Sequence, residues 1–213
     1  GRVRRGEQFV KEFPSLVIVE KITHWSVLQR VNVAQMYNAL LSSRTHRASC
    51  ARVAGRFRRG WLRNYVVSKL WSDPAYPAVY ELVQDSREPL SDVGCGLGLL
   101  GFYLRERAFQ QPIVGLDFDR RKIRRAAEIG SSCYRQMEFR QHDIREEAPS
   151  FRGNMATLDV LHYLSPTDQK ILLVPLKNQL SPGGLLMLRA SPRDGTARSW
   201  FTLLAAMSTT GLT

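Results

Sequence analysis

Residues 90–119 constrain the fold more tightly than any other stretch of this chain. They read Leu90-Ser91-Asp92-Val93-Gly94-Cys95-Gly96-Leu97-Gly98, then an apolar helical segment, then Pro112-Ile113-Val114-Gly115-Leu116-Asp117-Phe118-Asp119. The pattern predicts a strand, a glycine turn, a helix and a second strand that ends in acid. Such a unit places a nucleotide-like ligand at the carboxyl ends of parallel strands. Glycines let the turn tighten and let the backbone approach a ligand, because no Cβ intervenes. The acid that closes the second strand, Asp117, can accept hydrogen bonds from both hydroxyls of a ribose.

The glycines fit two motifs. Gly96-Leu97-Gly98-Leu99-Leu100-Gly101 matches the dinucleotide fingerprint GxGxxG, with Asp117 near the expected ~20 residues downstream. Gly94, Gly96 and Gly98 also match GxGxG with an acid, Asp92, two residues ahead. The first motif would run its strand through Ser91, Asp92 and Gly94, poor material for a strand buried on both faces. The second motif is the better fit, and the rest of the chain agrees with it in order. Phe139-Arg140-Gln141-His142-Asp143-Ile144 has the form of a third strand with an acid at its end. Met155 to Leu164 has the form of a fourth strand and the turn after it, and Leu180-Ser181-Pro182-Gly183-Gly184 leads into a fifth strand ending near Arg189. On these landmarks the chain resembles the class I S-adenosylmethionine-dependent methyltransferases.

That resemblance implies an α/β Rossmann-like sheet, mostly parallel, with helices on both faces. It implies S-adenosylmethionine as cofactor and S-adenosylhomocysteine as product, held by Asp92, Gly94, Gly96, Gly98, Asp117, Phe118, Asp143, Ile144 and Asp159. Asp92 would hold the turn amides and face the methionine ammonium, and Asp143 would accept from the adenine amine. His162, after the fourth strand, is the candidate general base. A base is required only for an acceptor that must lose a proton, such as a phenol or alcohol. The tetrapeptide (Asp/Asn/Ser)-Pro-Pro-(Tyr/Phe) of many methyltransferases acting on amino groups of bases is absent from this turn, which favours an oxygen or small-molecule acceptor. Tyr65 and Lys69 are placed to line the substrate mouth, and Arg189, with Arg193, to hold a substrate anion. No metal is implied. Residues 68–76, 159–164 and 182–189 further resemble bacterial methyltransferases encoded with aryl-polyene lipid synthesis. The expected reaction is O-methylation of a small or carrier-tethered aromatic acceptor. The alternatives are an RNA-binding or RNA-modifying methyltransferase and a non-catalytic methyltransferase-like binding module.

Charge divides the chain. Residues 1–60 carry 12 Lys and Arg against 3 acids, which supplies +9 of the net +12. The expected division is therefore a basic N-terminal extension or lid over 1–60 and a methyltransferase domain over 61–213. Basicity of this kind points to nucleic acid, an anionic membrane surface or an acidic carrier protein, against the plainer reading of a solvated basic face. No apolar run approaches the roughly 18 residues of a membrane span. Cys50, Cys95 and Cys133 have neither disulfide nor metal spacing, which fits a reducing cytoplasm.

Along the chain, the apolar run 15–19 predicts a short strand, and residues 28–42 carry a helical apolar stripe. Ser42 to Gly60 fits a linker or a helix with a basic face. Helices are expected over 61–72 and from Pro77 to Gln84, with Pro77 in first position. The row of basic residues Arg120–Arg125 opens another helix against its dipole. Ser165 and Pro166 start a helix that Pro175 should kink or end. Residues 197–207 are expected to be helical. Only 24 residues follow Arg189, so the sheet is expected to have about five core strands and to lack the usual last two. Its edge would then be covered by the strand near Val17, by a second copy or by a partner.

Overall fold

The computed structural model describes residues 18–21, 41–144, 151–190 and 203–208. Its elements in chain order are β1 (Ile18–Lys21), α1 (Arg44–Gly55), α2 (Trp61–Ser72), α3 (Ala75–Val83), β2 (Leu90–Val93), α4 (Leu99–Glu106), β3 (Ile113–Asp117), α5 (Arg120–Cys133), β4 (Met137–Gln141), β5 (Asn154–Leu158), a 3-10 turn (Leu161–Tyr163), α6 (Pro166–Asn178), β6 (Leu185–Ala190) and β7 (Leu203–Ser208). They build one seven-stranded sheet in the order β1-β7-β6-β5-β2-β3-β4. The five strands from β6 to β4 run parallel, which brings the ends of β2, β3, β5 and β6 to one edge.

Alternation along the strands splits the core in two. Leu90, Ile113, Ala156 and Met187 face α1 to α4, in a cluster with Val53, Leu70, Phe102 and Tyr103. Val93, Leu116, Met155 and Leu186 face the other way, against Leu172 and Leu176 of α6. A sheet covered on both faces needs apolar residues at successive positions, and all four residues of β2 are buried. The described part of the basic N-terminal region joins this core. Ser43 caps α1, and Cys50, Val53 and Ala54 pack with Val66 and Leu70 of α2.

Several expectations change. The sheet does not stop at five strands. Residues 203–207, part of the helix expected over 197–207, instead belong to β7, which pairs antiparallel with β6 from Leu185↔Ser208 to Ala190↔Leu203. The N-terminal strand β1 pairs parallel with β7 and covers its free side. A short apolar run such as Leu203-Leu204-Ala205-Ala206 suits strand and helix alike, and the unpaired edge of β6 decides between them. The helix that includes Pro77 begins at Ala75, so Pro77 is its third residue. Helix α6 runs through Pro175 to Asn178, because its inward residues Leu172 and Leu176 stay packed while Ile171 and Val174 face solvent. The stripe over 28–42 lies almost wholly outside the described residues. Among the described residues no helix is long and apolar enough to cross a membrane.

Candidate active site

The glycine turn leaves β2 with Gly94, Gly96 and Gly98 at φ 80°, 55° and 74°, a left-handed path that L side chains rarely follow. What a side chain would meet differs at each. A Cβ on Gly94 would lie 2.1 Å from Val160, and one on Gly98 2.6 Å from the ring of Phe139, so these two glycines permit packing. A Cβ on Gly96 would meet nothing closer than the Lys122 stem at 3.9 Å. Gly96 therefore presents bare backbone to open space, as a turn that cradles a ligand requires.

Two buried acids flank the turn. Asp117, at the end of β3, accepts from the Gly96 amide at 2.8 Å with one oxygen and from the Asp119 amide at 2.8 Å with the other. The amides of Gly94 and Cys95 go to the Leu116 carbonyl. Asp117 thus holds the turn, the role expected of Asp92, and keeps lone pairs for a further donor. Asp92 has no hydrogen-bond partner among the described residues, although it is only 4% exposed. Burial, and then the charge of Asp117, push its carboxyl up to about 7. A buried acid without a donor is costly unless a cation meets it. An ammonium over this site would satisfy it, so the residues fit the amino acid end of S-adenosylmethionine. Next to β3, Phe118 is 64% exposed, and Asp143 and Ile144 are half-buried just beyond β4. The resemblance assigns these three to the ribose and adenine side.

At the other end of the same edge the acids are fully engaged. Arg189 on β6 is buried, and its guanidinium donates to Asp73 and to Asp159 together. Lys69 donates to Asp73 at 2.7 Å and to Asp159 at 3.3 Å. Although burial opposes ionisation of Asp73, the Arg189 hydrogen bonds hold its carboxyl below the usual carboxylate range. Arg189, for its part, is held protonated against burial by the same two acids. Asp159 reaches the pair from the turn after β5, with φ 60°. The network ties the C-terminal end of α2 to the ends of β5 and β6.

This revises three expectations. Arg189 is neither an open anion receptor nor a solvated arginine, because a charge on a buried strand had to bring its own counter-ions. Asp159 serves that pairing and does not present a free carboxylate to a cofactor. Lys69 shares in the pairing, with a side chain that remains 31% exposed. Tyr65 and Trp71, 48% and 51% exposed, lie on the same helix α2. The backbone of His162 lies in the 3-10 turn after β5, and its side chain, like all of Arg193, is outside the described residues. Sequence reasoning missed Asp73, which lies just past the helix expected over 61–72. One signal was present: a lone arginine inside the apolar run of β6 needs an acid partner somewhere.

A second buried polar group lies behind the sheet. Arg107 donates to the Tyr103 hydroxyl at 3.0 Å, leaving that hydroxyl to donate to Nδ1 of His46 at 2.9 Å. Burial and the nearby Arg107 and Arg47 keep His46 neutral by lowering its pKa. It joins α1 to α4, far in role from the edge described above.

Residues 84–208 match the family model described as a methyltransferase domain. No curated protein matches the sequence. Among solved structures, the TehB-like SAM-dependent methyltransferase from Corynebacterium glutamicum is 19% identical, with 72% of this chain and 76% of that chain covered and a TM-score of 0.50. The glycopeptide N-methyltransferase MtfA is 14% identical over 65% of this chain and 64% of that chain, with a TM-score of 0.51. In its complex with S-adenosyl-L-methionine the same protein is 15% identical, at a TM-score of 0.50, over 56% of this chain and only 54% of that one. The chain thus spans about half the length of that relative. At these identities the likeness concerns the fold.

Proposed function

The chain belongs to the methyltransferase-domain family, and from that premise we propose that it transfers a methyl group from S-adenosylmethionine to an oxygen of a small or carrier-tethered aromatic acceptor. The observation that carries the cofactor half of this reading is Asp92, buried beside an open glycine turn with no donor of its own. When bound, the sulfonium cofactor supplies an electrophilic methyl group that an acceptor displaces in line. The protein's work is positioning and exclusion of water. Asp92 pairs with the ammonium, bare Gly96 admits the chain of the amino acid, and Asp117 offers its remaining lone pairs to the ribose hydroxyls. Phe118, Asp143 and Ile144 enclose the adenine.

The acceptor half rests on the opposite end of the edge. Arg189, Asp73, Asp159 and Lys69 hold one another, so the carboxylates there are neutralised and none is free to act as a base. A proton leaving an acceptor hydroxyl must go elsewhere, and this reading gives it to His162, whose backbone belongs to the 3-10 turn after β5. Tyr65 and Trp71, exposed on α2, offer rings for an aromatic acceptor. The absence of the Pro-Pro tetrapeptide from the turn at Asp159–His162 argues against amino groups of nucleobases. The aryl-polyene likeness supports a hydroxylated aromatic acid as the acceptor.

Methyl transfer from radiolabelled cofactor to a panel of phenolic acids tests this reading, alongside calorimetry of cofactor binding. His162→Ala should leave cofactor affinity intact and lower turnover by ~10²–10⁴-fold. A normal rate in that variant would remove His162 as the base. Labelling of amines with no labelling of any phenol would remove the oxygen acceptor.

A further inference from the structure

An open hollow of about 660 Å³ lies beside the glycine turn, lined by Trp61 and Leu62 of α2, by Leu97 of the turn and by the outward side of α5. Its size falls within the ~300–1,000 Å³ of ligand sites. The lining residues of α5 are Arg121, Lys122, Arg124, Arg125 and Glu128, so four cations stand against one acid. Spacings of three and four place Arg121, Arg124 and Arg125 on one face, where like charges repel. They also sit in the first turns of α5, whose own dipole is positive there, and no acid occupies that first turn. Lys122 has Asp119 at 3.8 Å, whereas the three arginines have no ion pair with any described residue. Across the hollow Trp61 is 78% exposed, an unusual position for an indole, and exposed Arg58 and Arg59 precede it, separated only by Gly60.

None of the residues lining this surface belongs to the ion network or to the cofactor assignments above. From it we propose that the hollow binds a single-stranded nucleic acid, with one base stacked on Trp61 and the neighbouring phosphates on Arg121, Arg124 and Arg125. The chemistry matches on both counts. A polyanion relieves the repulsion built into α5, and an unstacked base offers the flat partner that a lone exposed indole lacks. The net charge of +12 would draw a polyanion to the chain. The assignment stands apart from the acceptor: eight residues of α2, ~12 Å of helix, separate Trp61 from Lys69.

The test is fluorescence anisotropy of the full chain with a labelled oligouridylate of ~12 nucleotides, at ~50 and ~200 mM salt. The expected result is binding that weakens steeply with salt. The triple variant Arg121→Glu, Arg124→Glu, Arg125→Glu should weaken binding at ~50 mM salt by at least ~10-fold and flatten its salt dependence. Trp61→Ala should weaken it by ~5- to 100-fold with the salt dependence preserved. Arg135→Glu, an exposed charge after α5, should bind as the parent does. Undiminished cofactor binding by calorimetry would show that each variant is folded. Three results would overturn the proposal: no binding at ~50 mM salt by the parent chain, unchanged binding in both the triple and the Trp61 variants, or equal capture of phosphatidylserine vesicles with the same dependence on Trp61. The last would make the surface a membrane interface.

Discussion

At the β2–β3 end of the sheet's carboxyl edge, Asp92 stands without a hydrogen-bond donor, whereas at the β5–β6 end Asp73 and Asp159 share Arg189 and Lys69 among them. Both places bury carboxylates, yet only the first is left unsatisfied. A protein that buries a charge without pairing it accepts a cost that a ligand can later remove. A protein that pairs its buried charges fully makes a joint, and this joint fixes α2 against the sheet. The difference separates a site from a scaffold within about one strand order of each other.

The largest effect should come from cutting the joint. Asp73→Ala leaves Arg189 buried with half its partners gone, and should lower the unfolding free energy by ~3–5 kcal/mol in urea titration. Replacing Asp73 and Arg189 together by apolar residues should cost less than the single change. Parental stability in Asp73→Ala would erase the contrast between the two ends.

The opposite end should respond in the opposite sense. Asp92→Asn removes an unpaired buried acid, so the protein without cofactor should melt at a higher temperature near pH 8, while cofactor affinity falls by ~1.5–3 kcal/mol in calorimetry. Lower stability with unchanged affinity would show that Asp92 is another joint. Asp117 lies between the two cases, since it already holds two amides. Asp117→Ala should weaken cofactor binding by ~1–3 kcal/mol through lost ribose contacts and a slackened Gly96 turn. Unchanged affinity would refute the ribose role.

The smallest and most specific effect is a pH dependence. Asp92 is raised from an ordinary 3.8 to about 7 in the folded chain, by burial and then by Asp117. Its contribution to stability is complete below 3.8 and is lost as pH rises through about 7. An ammonium selects the ionised form, so cofactor affinity should rise by up to ~10-fold per pH unit below that point and then level off. Asp92→Asn should flatten this profile, and a parent chain with no such rise would break the pairing of Asp92 with the cofactor.

Much of this was legible in order along the chain. The glycine turn and the acid closing β3 follow from residue types that few other structures tolerate in that spacing. The bounds of α2 match the expected 61–72, and Ser165 with Pro166 marks the start of α6, where the Ser165 hydroxyl accepts from the Asp168 amide. Hydroxyl caps and proline act over a few residues, so they can be read locally. The strand at Leu203–Ser208 could not, because its conformation depends on the unpaired edges of β6 and β1, far away in sequence.

The sequence by itself determined the β–turn–α–β unit, the order of its landmarks and the position of Asp92, since each depends on φ, on side-chain size or on period within a short window. Tertiary structure alone decided that Asp117 rather than Asp92 holds the turn, that Arg189 is enclosed by Asp73 and Asp159, and that the basic row of α5 faces Trp61 across a hollow. Arg189 and Asp73 are 116 positions apart. Charges attract through space, and only the folded sheet brings those positions within reach of one another.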